Sequence, residues 1–240
     1  MNRKFLAPLL EIGLPLLLFV LIIVFHPQAL DIRLETFFAD GNDFPMRQNE
    51  VMTWIHSRAR RLTNLVLLAT FLAVVLGRWF PRFRVTIPEG LCVLLGSGLS
   101  VLAISWLKAT TGVHCPFESV AFGGPFPVFD PSLPFAARPG KCWPGGFAGT
   151  GFCLFSFWFA FRDRKPKLAR GMLVFALLFG VFCGTIQLWR GLHFPSHNIE
   201  TLLLDYAICA AVYHLFMRRW ILRSARTLGE IPAAPAPSGT

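Results

Sequence analysis

Six long apolar runs constrain the fold of this chain more than any other feature of its sequence. The runs cover roughly residues 7–26, 62–80, 88–107, 147–161, 171–189 and 199–217. Runs of about 20 apolar residues are typical of helices that cross the ~30 Å hydrocarbon core of a bilayer, whereas barrel strands are shorter and alternate. The sequence therefore predicts an all-α membrane protein with a six-transmembrane helical bundle.

Composition agrees with this fold class. Hydrophobic residues make up 54% of the 240 residues and charged residues only 15%, whereas a soluble domain carries about a quarter charged residues. The first run is interpreted as a span, because it is about 20 residues long and no small-residue cleavage site follows it. Residues 1–226 are expected to form a single membrane domain, and the Ala- and Pro-rich residues 227–240 a disordered cytoplasmic tail.

The distribution of basic residues predicts the orientation in the membrane. An even number of spans places both termini on one side, and that side holds fourteen of the 23 Lys and Arg residues. Basic loops face the cytoplasm, so both termini are expected there. Arg58, Arg60 and Arg61 crowd the other side, where an interfacial helix would explain them. The net charge of +10 thus reflects orientation, and no nucleic-acid motif accompanies it.

Three clusters of potentially reactive residues lie at the ends of the runs, all on the predicted outer side. They are Lys108 with Cys115-Pro116, the run Cys142-Trp143-Pro144-Gly145-Gly146, and the run from Arg190 to His197. Lys and Arg bind phosphate, a Gly-rich turn before a helix offers backbone amides to an anion, and His can attack phosphorus or carry a proton. The pattern therefore predicts a phosphate site formed by the outer loops.

Each cluster also has a purely structural interpretation. Lys108 could be an interfacial Lys whose ammonium reaches out of the membrane, and the Gly pair could be a turn that starts a helix. Two His and an Arg within eight residues favour the functional interpretation of the third cluster. The residues expected to bind phosphate are Lys108, Gly145, Gly146 and Arg190, and those expected to be catalytic are His193 and His197.

Cys115 and Cys142 both fall in the outer loop 108–146, where an oxidising compartment would permit a disulfide between them. Such a bond would contribute about 3 kcal/mol on the chain-entropy model. A zinc site with His114 is the alternative, but these residues lack the standard ligand spacing, so the disulfide is favoured. Neither a metal nor a cofactor is expected.

The three clusters resemble the motifs of the type-2 phosphatidic acid phosphatase superfamily, whose members are six-span lipid phosphatases and phosphotransferases. Six residues separate Lys108 from Cys115-Pro116, as in the first family motif. Pro144-Gly145-Gly146-Phe147 occupies the second motif, and His193-Phe194-Pro195-Ser196-His197 the third. The resemblance covers residues 88–217 approximately. It is strongest to a membrane subgroup that includes lipid A-modifying enzymes.

The resemblance implies a role for each site residue. His193 would attack phosphorus and form a phosphohistidine. His197 occupies the position of the acid that normally orients this His, and Glu200 and Asp205 are nearby acids that could compensate. Gln187 stands at the position of the third-motif Arg, so Arg190 is expected to substitute from one helical turn along.

Phe147 is the main departure, because it stands where the family has the His that protonates the leaving group. Hydrolysis of a lipid monophosphate should suffer most, since a phosphate leaves a diphosphate with little help. The sequence thus predicts a bacterial inner-membrane enzyme with a periplasmic site for a lipid diphosphate of polyprenyl or lipid A type. One alternative is a degenerate member that binds lipid phosphate and regulates a partner. Another is a small transporter or channel, which has less support because the spans carry few buried charges apart from Glu11 and Asp205. The expected partners are the phosphorylated lipid and the membrane lipids, with no nucleic acid, and the sequence does not identify a protein partner.

Overall fold

Helices account for most of the chain in the computed structural model, which describes residues 3–80, 87–128 and 140–227. Within these ranges there are isolated bridges but no strand, which confirms the all-α membrane fold. The predicted tail lies outside the described residues, except for Thr227. The helices that position the site are α1 (Leu6–Phe25), α2 (Gln28–Glu35), α3 (Glu50–Gly77), α4 (Ile87–Thr110), α5 (Gly149–Phe161), α6 (Pro166–Trp189) and α7 (Pro195–Thr227).

Five of these helices are long and apolar enough to cross a membrane, namely α1, α3, α4, α6 and α7. The fourth predicted span corresponds to α5, which is only about 20 Å long at 1.5 Å per residue and is interrupted at Cys153 and Leu154. The count of six is therefore not confirmed. Burial of Phe152, Phe155 and Phe159 places α5 inside the bundle, where a short or broken helix is tolerated because protein surrounds it.

Helix α3 begins twelve residues earlier than its apolar run and is about 42 Å long. The Asn49 side chain caps it by accepting a hydrogen bond from the backbone N–H of Met52 at 3.1 Å. Arg58, Arg60 and Arg61 therefore lie within a continuous helix, not on a separate interfacial one. Because α3 exceeds the ~30 Å hydrocarbon thickness, its first turns extend past the apolar region and can carry these charges.

The bundle is tightly packed where α5 crosses α6. A Cβ atom on Gly151 would lie 2.3 Å from the backbone nitrogen of Gly180, so only glycine permits this approach. At the end of the bundle opposite the predicted site, Arg162 donates to both oxygens of Glu11 at 2.8 Å, and His214 lies 2.6 Å from the same carboxylate. These ion pairs connect α1, α7 and the α5–α6 turn.

Helix α2 fixes the start of α7. The Asp31 carboxylate accepts hydrogen bonds from the backbone N–H of Ser196 at 2.9 Å and from its hydroxyl at 2.5 Å. These bonds satisfy a donor in the first turn of α7, which would otherwise lack a partner. The contact holds the third predicted motif in place, because Ser196 belongs to that motif.

Glu35, on the same short helix, gives a first testable prediction. Its side chain is fully buried, and burial together with the nearby Asp31 raises the pKa of Glu35 to about 9. Folding therefore takes up a proton between pH ~4.5 and ~9, so stability should fall as pH rises through this window by at most ~1.4 kcal/mol per pH unit. Glu35→Gln should remove this fall. Its melting temperature in detergent should exceed that of the wild type by a margin that grows from acidic to alkaline pH.

The exposed carboxyl of Glu50 offers a matched control, since Glu50→Gln also removes one carboxyl from a helix. A Glu35→Gln margin that is the same at every pH, or no larger than that of Glu50→Gln, contradicts the prediction.

Candidate active site

Backbone hydrogen bonds join the three predicted clusters at one end of the bundle. The N–H of Phe117, next to Cys115-Pro116, donates to the carbonyl of Gly191 at 3.2 Å. The N–H of Cys142 donates to the carbonyl of Val113 at 2.8 Å. Gly191 has a φ of +61°, and a Cβ there would lie 2.4 Å from the ring of Phe44, so glycine is required at this contact. Clusters that are distant in sequence thus meet in space.

A cavity of about 290 Å³ lies beside this junction, and it is lined by α3, α4, α5, the end of α6, the α6–α7 connection and Asp205 of α7. It extends about 12 Å along α4 from Lys108 to Ser100. The site residues predicted from the sequence that line it are Lys108, Gly146, His193 and Asp205. A cavity of this size can accommodate a phosphoryl group with part of what it is attached to.

His193 is the strongest nucleophile candidate in this cavity. It sits in the connection between α6 and α7 and is only 3% exposed. Burial, together with nearby Lys108 and His197, holds the pKa of His193 well below its usual range, so the imidazole is neutral. Nδ1 lies 3.6 Å from Sγ of Cys142, which leaves Nε2 as the nitrogen available to a ligand in the cavity.

Lys108 and Gly146 are adjacent on the cavity wall. The ammonium nitrogen of Lys108 lies 3.9 Å from the position that a Cβ on Gly146 would occupy. Gly145, by contrast, does not line the cavity. Its N–H donates to the hydroxyl of Thr201 at 2.8 Å and so connects the second cluster to α7. The amides of Gly146 and Phe147 have no acceptor in the described parts of the chain, and they are the ones available to an anion.

Arg190 is not among the residues that line the cavity. Its Nε donates to the carbonyl of Arg47 at 3.1 Å, and its terminal nitrogen contacts the Gln187 side chain at 3.5 Å. Gln187 itself lines the cavity, and so does Arg60 from α3. The second cation on the cavity wall is therefore Arg60, and Arg190 lies outside it.

The second histidine of the third motif faces a different space. His197 lines a separate cavity of about 540 Å³, together with Glu200 and Trp143. Glu200 accepts a hydrogen bond from the indole N–H of Trp143 and does not orient His193. Nδ1 of His197 is buried without a hydrogen-bond partner among the described residues. His193 and His197 are thus neighbours that open onto two cavities.

Asp205 lies at the far end of the first cavity, near Ser100 and Gly149. One carboxylate oxygen is 3.3 Å from the position of a Cβ on Gly149, and the side chain is fully buried. Among the described residues, neither oxygen has a partner that meets the distance and angle of a hydrogen bond. Because the Nδ1 of His193 contacts Cys142, Asp205 does not orient that ring.

Cys115 and Cys142 are free thiols that lie together in one apolar cluster, and the disulfide between them stays a prediction. Sγ of Cys142 donates to the carbonyl of Leu192 at 2.8 Å and contacts His193. Sγ of Cys142 and ring nitrogens of His193 and His197 lie within 4.8 Å of one another, a grouping that could hold a metal ion. His114, which the zinc alternative required, stacks on Phe126 and is not part of it.

Sequence reasoning missed the contribution of α3 to the cavity. His56, Arg60, Thr63, Asn64 and Leu67 all line it and recur with helical spacing on one face of α3. The polar stripe that the first four of these residues form, at i, i+4, i+7 and i+8, was the available signal. It was obscured because the basic residues near Arg60 suggested a separate interfacial helix.

Comparison with known proteins adds one finding. The family model described as the PAP2 superfamily matches residues 89–221, which is more than half of the chain. Neither the curated proteins nor the solved structures contain a significant match. The matched segment includes the three clusters but not α3.

Proposed function

The chain belongs to the PAP2 superfamily, and we propose that it is a multi-pass membrane phosphatase or phosphotransferase that transfers a phosphoryl group from a lipid through a phosphohistidine on His193. Family membership supports a phosphatase that acts on lipid substrates. The observation that carries the proposal for this chain is the placement of a buried, neutral His193 in one cavity with Lys108 and the amide of Gly146.

The proposed reaction has two steps. The lone pair of His193 Nε2 forms a bond to phosphorus while the bond from phosphorus to the leaving oxygen breaks. Lys108, Arg60 and the amide of Gly146 stabilise the negative charge that develops on the phosphoryl oxygens. Water then attacks the phosphohistidine in a phosphatase, and a second lipid does so in a phosphotransferase.

A lipid diphosphate of polyprenyl or lipid A type is the proposed substrate. Phe147 cannot protonate a leaving group, and a phosphate leaves without a proton more readily than a lipid alkoxide does. The apolar surface around the second cavity, including Ile23, Leu107 and Val113, is suited to a hydrocarbon chain near the phosphate site.

The proposed location is the inner membrane of a bacterium, with both termini in the cytoplasm and the site facing the periplasm. Two observations support this orientation. The cavity is at the end of the bundle that the sequence predicts to face outward, and the count over the six predicted spans gives that side nine of the 23 Lys and Arg residues, whereas positive loops face the cytoplasm. The opposite end carries the basic turn of Arg162, Arg164, Lys165 and Lys167.

Phosphate release from a panel of mono- and diphosphorylated lipids by purified protein in detergent tests this function. We expect release from diphosphates to exceed release from monophosphates of the same chain length. Protein that has folded and binds the lipids but releases no phosphate from any of them contradicts catalysis, and it would favour a degenerate member that binds lipid phosphate. Phe147 is the feature that favours that second candidate.

The absence of a resident metal stays a prediction. Phosphate release should withstand chelation, and a loss that zinc restores would indicate that the Cys142, His193 and His197 grouping holds an ion that the activity needs.

A further inference from the structure

A second imidazole faces the cavity, and it lies against Phe147. The rings of His56 and Phe147 are in contact, with centroids 4.2 Å apart and planes inclined by 56°. Of the histidines in the described ranges, only His56 and His193 line this cavity. His56 is carried by α3, which lies outside the segment that the family model matches, so the family assigns it no role.

The leaving phosphate of the proposed lipid diphosphate needs little help, but a group of this kind would extend the site to lipid monophosphates. When the leaving group is a lipid alcohol, the departing oxygen must gain a proton, and neither Phe147 nor a backbone amide can supply it. Lys108 and Arg60 are cations suited to holding phosphoryl oxygens, and Asp205 lies at the far end of the cavity. His56 carries the remaining side chain on the wall of a type that commonly acts as a general acid.

We propose that His56 is the proton donor to the leaving oxygen, taking over from a neighbouring helix what Phe147 cannot do. This rests on the proposed function of the site. The N–P bond to His193 forms as the P–O bond breaks, and the electron pair of that bond passes to the leaving oxygen. The leaving oxygen takes the proton from a ring nitrogen of His56, which releases the lipid alcohol. Neutral His56 then accepts a proton from the water that attacks the phosphohistidine.

The surroundings of His56 link its protonation to the substrate. Arg60 on its own helix and Lys108 on α4 line the same cavity, and the charge of Arg190 at the end of α6 also reaches His56. A bound phosphate brings negative charge among the same cations, so the proton becomes favourable on His56 when the substrate is present. The donor is thus charged when it is needed.

A packing role alone is the competing explanation of the ring contact, and two substitutions separate the two roles. His56→Phe keeps an aromatic ring against Phe147 but carries no proton, and His56→Gln keeps polarity but cannot act as an acid. If His56 only packs, the Phe variant should behave like the wild type. If it donates a proton, both variants should be impaired in proportion to how much the leaving group needs one.

The test compares two probes with purified protein in detergent: a short-chain alkyl phosphate, whose leaving group needs a proton, and nitrophenyl phosphate, whose leaving group needs little help. Both His56 variants should lose about 10²–10⁴-fold in kcat on the alkyl phosphate and far less on nitrophenyl phosphate. Phosphoenzyme formation from nitrophenyl phosphate by the variants reports that they are folded. Equal losses on both probes, or no loss on either, overturn the proposal.

Rescue adds an independent measurement. Phe147→His should restore alkyl phosphate hydrolysis in the His56→Gln background and should add less to the wild type, because one proton donor suffices. Thr53→Ala, which changes an exposed side chain of α3 that does not line the cavity, is the control and should leave the ratio of the two probes unchanged. No rescue by Phe147→His, together with an unchanged ratio in His56→Gln, counts against the proposal.

The wild-type protein gives a measurement that does not depend on any variant. Its kcat on the alkyl phosphate should decline as pH rises through one ionisation that nitrophenyl phosphate does not show. Identical pH profiles for both probes would rule out a proton donor at this site. If the wild-type protein neither releases phosphate nor forms a phosphoenzyme, the proposed function itself is contradicted. This result can be distinguished from one that contradicts only the role of His56.

Discussion

Replacement of His193 by alanine is expected to lower phosphate release from a lipid diphosphate by about 10⁴-fold or more, because no other group can form the covalent intermediate. Acid-labile phosphate on the protein, measured after a rapid quench with radiolabelled substrate, should vanish in the same variant. The physical reason is the placement of His193 in the cavity with its imidazole held neutral by burial. A neutral lone pair is what attack on phosphorus requires.

His197→Ala is the matched control for this experiment, since it removes the other imidazole of the same motif. His197 opens onto the second cavity, so its loss should reduce the rate less and should leave the phosphoenzyme detectable. In the reverse pattern, His197→Ala abolishes the phosphoenzyme and His193→Ala retains it. That result would identify His197, in the second cavity, as the nucleophile. Unchanged turnover in both variants would exclude a histidine nucleophile.

The contrast between the two histidines shows what motif spacing can and cannot predict. The sequence placed both in the site, and they are indeed neighbours with ring centroids 5.9 Å apart. Which cavity each one faces depends on the turn at Gly191 and on the cap that Asp31 gives to α7, and both arise from tertiary contacts. Hydropathy and motifs carry no information on these contacts.

Membrane helices were predicted well where apolar length alone decides the outcome. α1, α4 and α6 begin and end within a few residues of the predicted runs, because a helix in hydrocarbon must satisfy its own backbone. Prediction failed for the start of α3, where the helix continues into polar sequence as far as Asn49. Helix propensity and a capping residue determine that boundary, and a hydropathy count does not detect them.

The positions of the cationic side chains were also only partly predictable from the sequence. Lys108 lies beside Gly146, because the end of α4 and the start of α5 meet on the same side of the bundle. Arg190 was expected in the cavity on sequence proximity to His193, but the rotation of α6 directs Gln187 there instead. Arg60 comes from a helix more than 100 residues away, which no local pattern could relate to the third motif.

The cavity is therefore lined by two parts of the chain, and the family model matches only one of them. Lys108, Gly146 and His193 lie within the segment that the family model matches, and His56 and Arg60 lie outside it. A substitution such as Phe147 within the matched segment can be compensated only by a residue that physically reaches the same space. The contact between His56 and Phe147 makes α3 the helix from which such compensation is available.

Removal of the Lys108 charge is expected to have the second largest effect on phosphate release from a lipid diphosphate. Lys108→Gln should lower kcat by about 10²–10³-fold, because a preorganised cation on a partly dry wall stabilises charge that develops only in the transition state. KM for a lipid diphosphate should change less than kcat, since the ground state gains less from the interaction. Steady-state kinetics of the purified variant, beside a melting curve to establish folding, measure both quantities.

Arg60→Gln and Arg190→Gln provide the decisive comparison for the second cation. Arg60 lines the cavity, so its loss should cost roughly 10–100-fold, as expected for a hydrogen bond to a charged group. Arg190 is held by the Arg47 carbonyl outside the cavity, so its loss should cost clearly less. A larger effect of Arg190→Gln would mean that its guanidinium leaves Arg47 and enters the cavity when substrate binds. In that case the family motif, and not the cavity wall, would identify the second phosphate ligand.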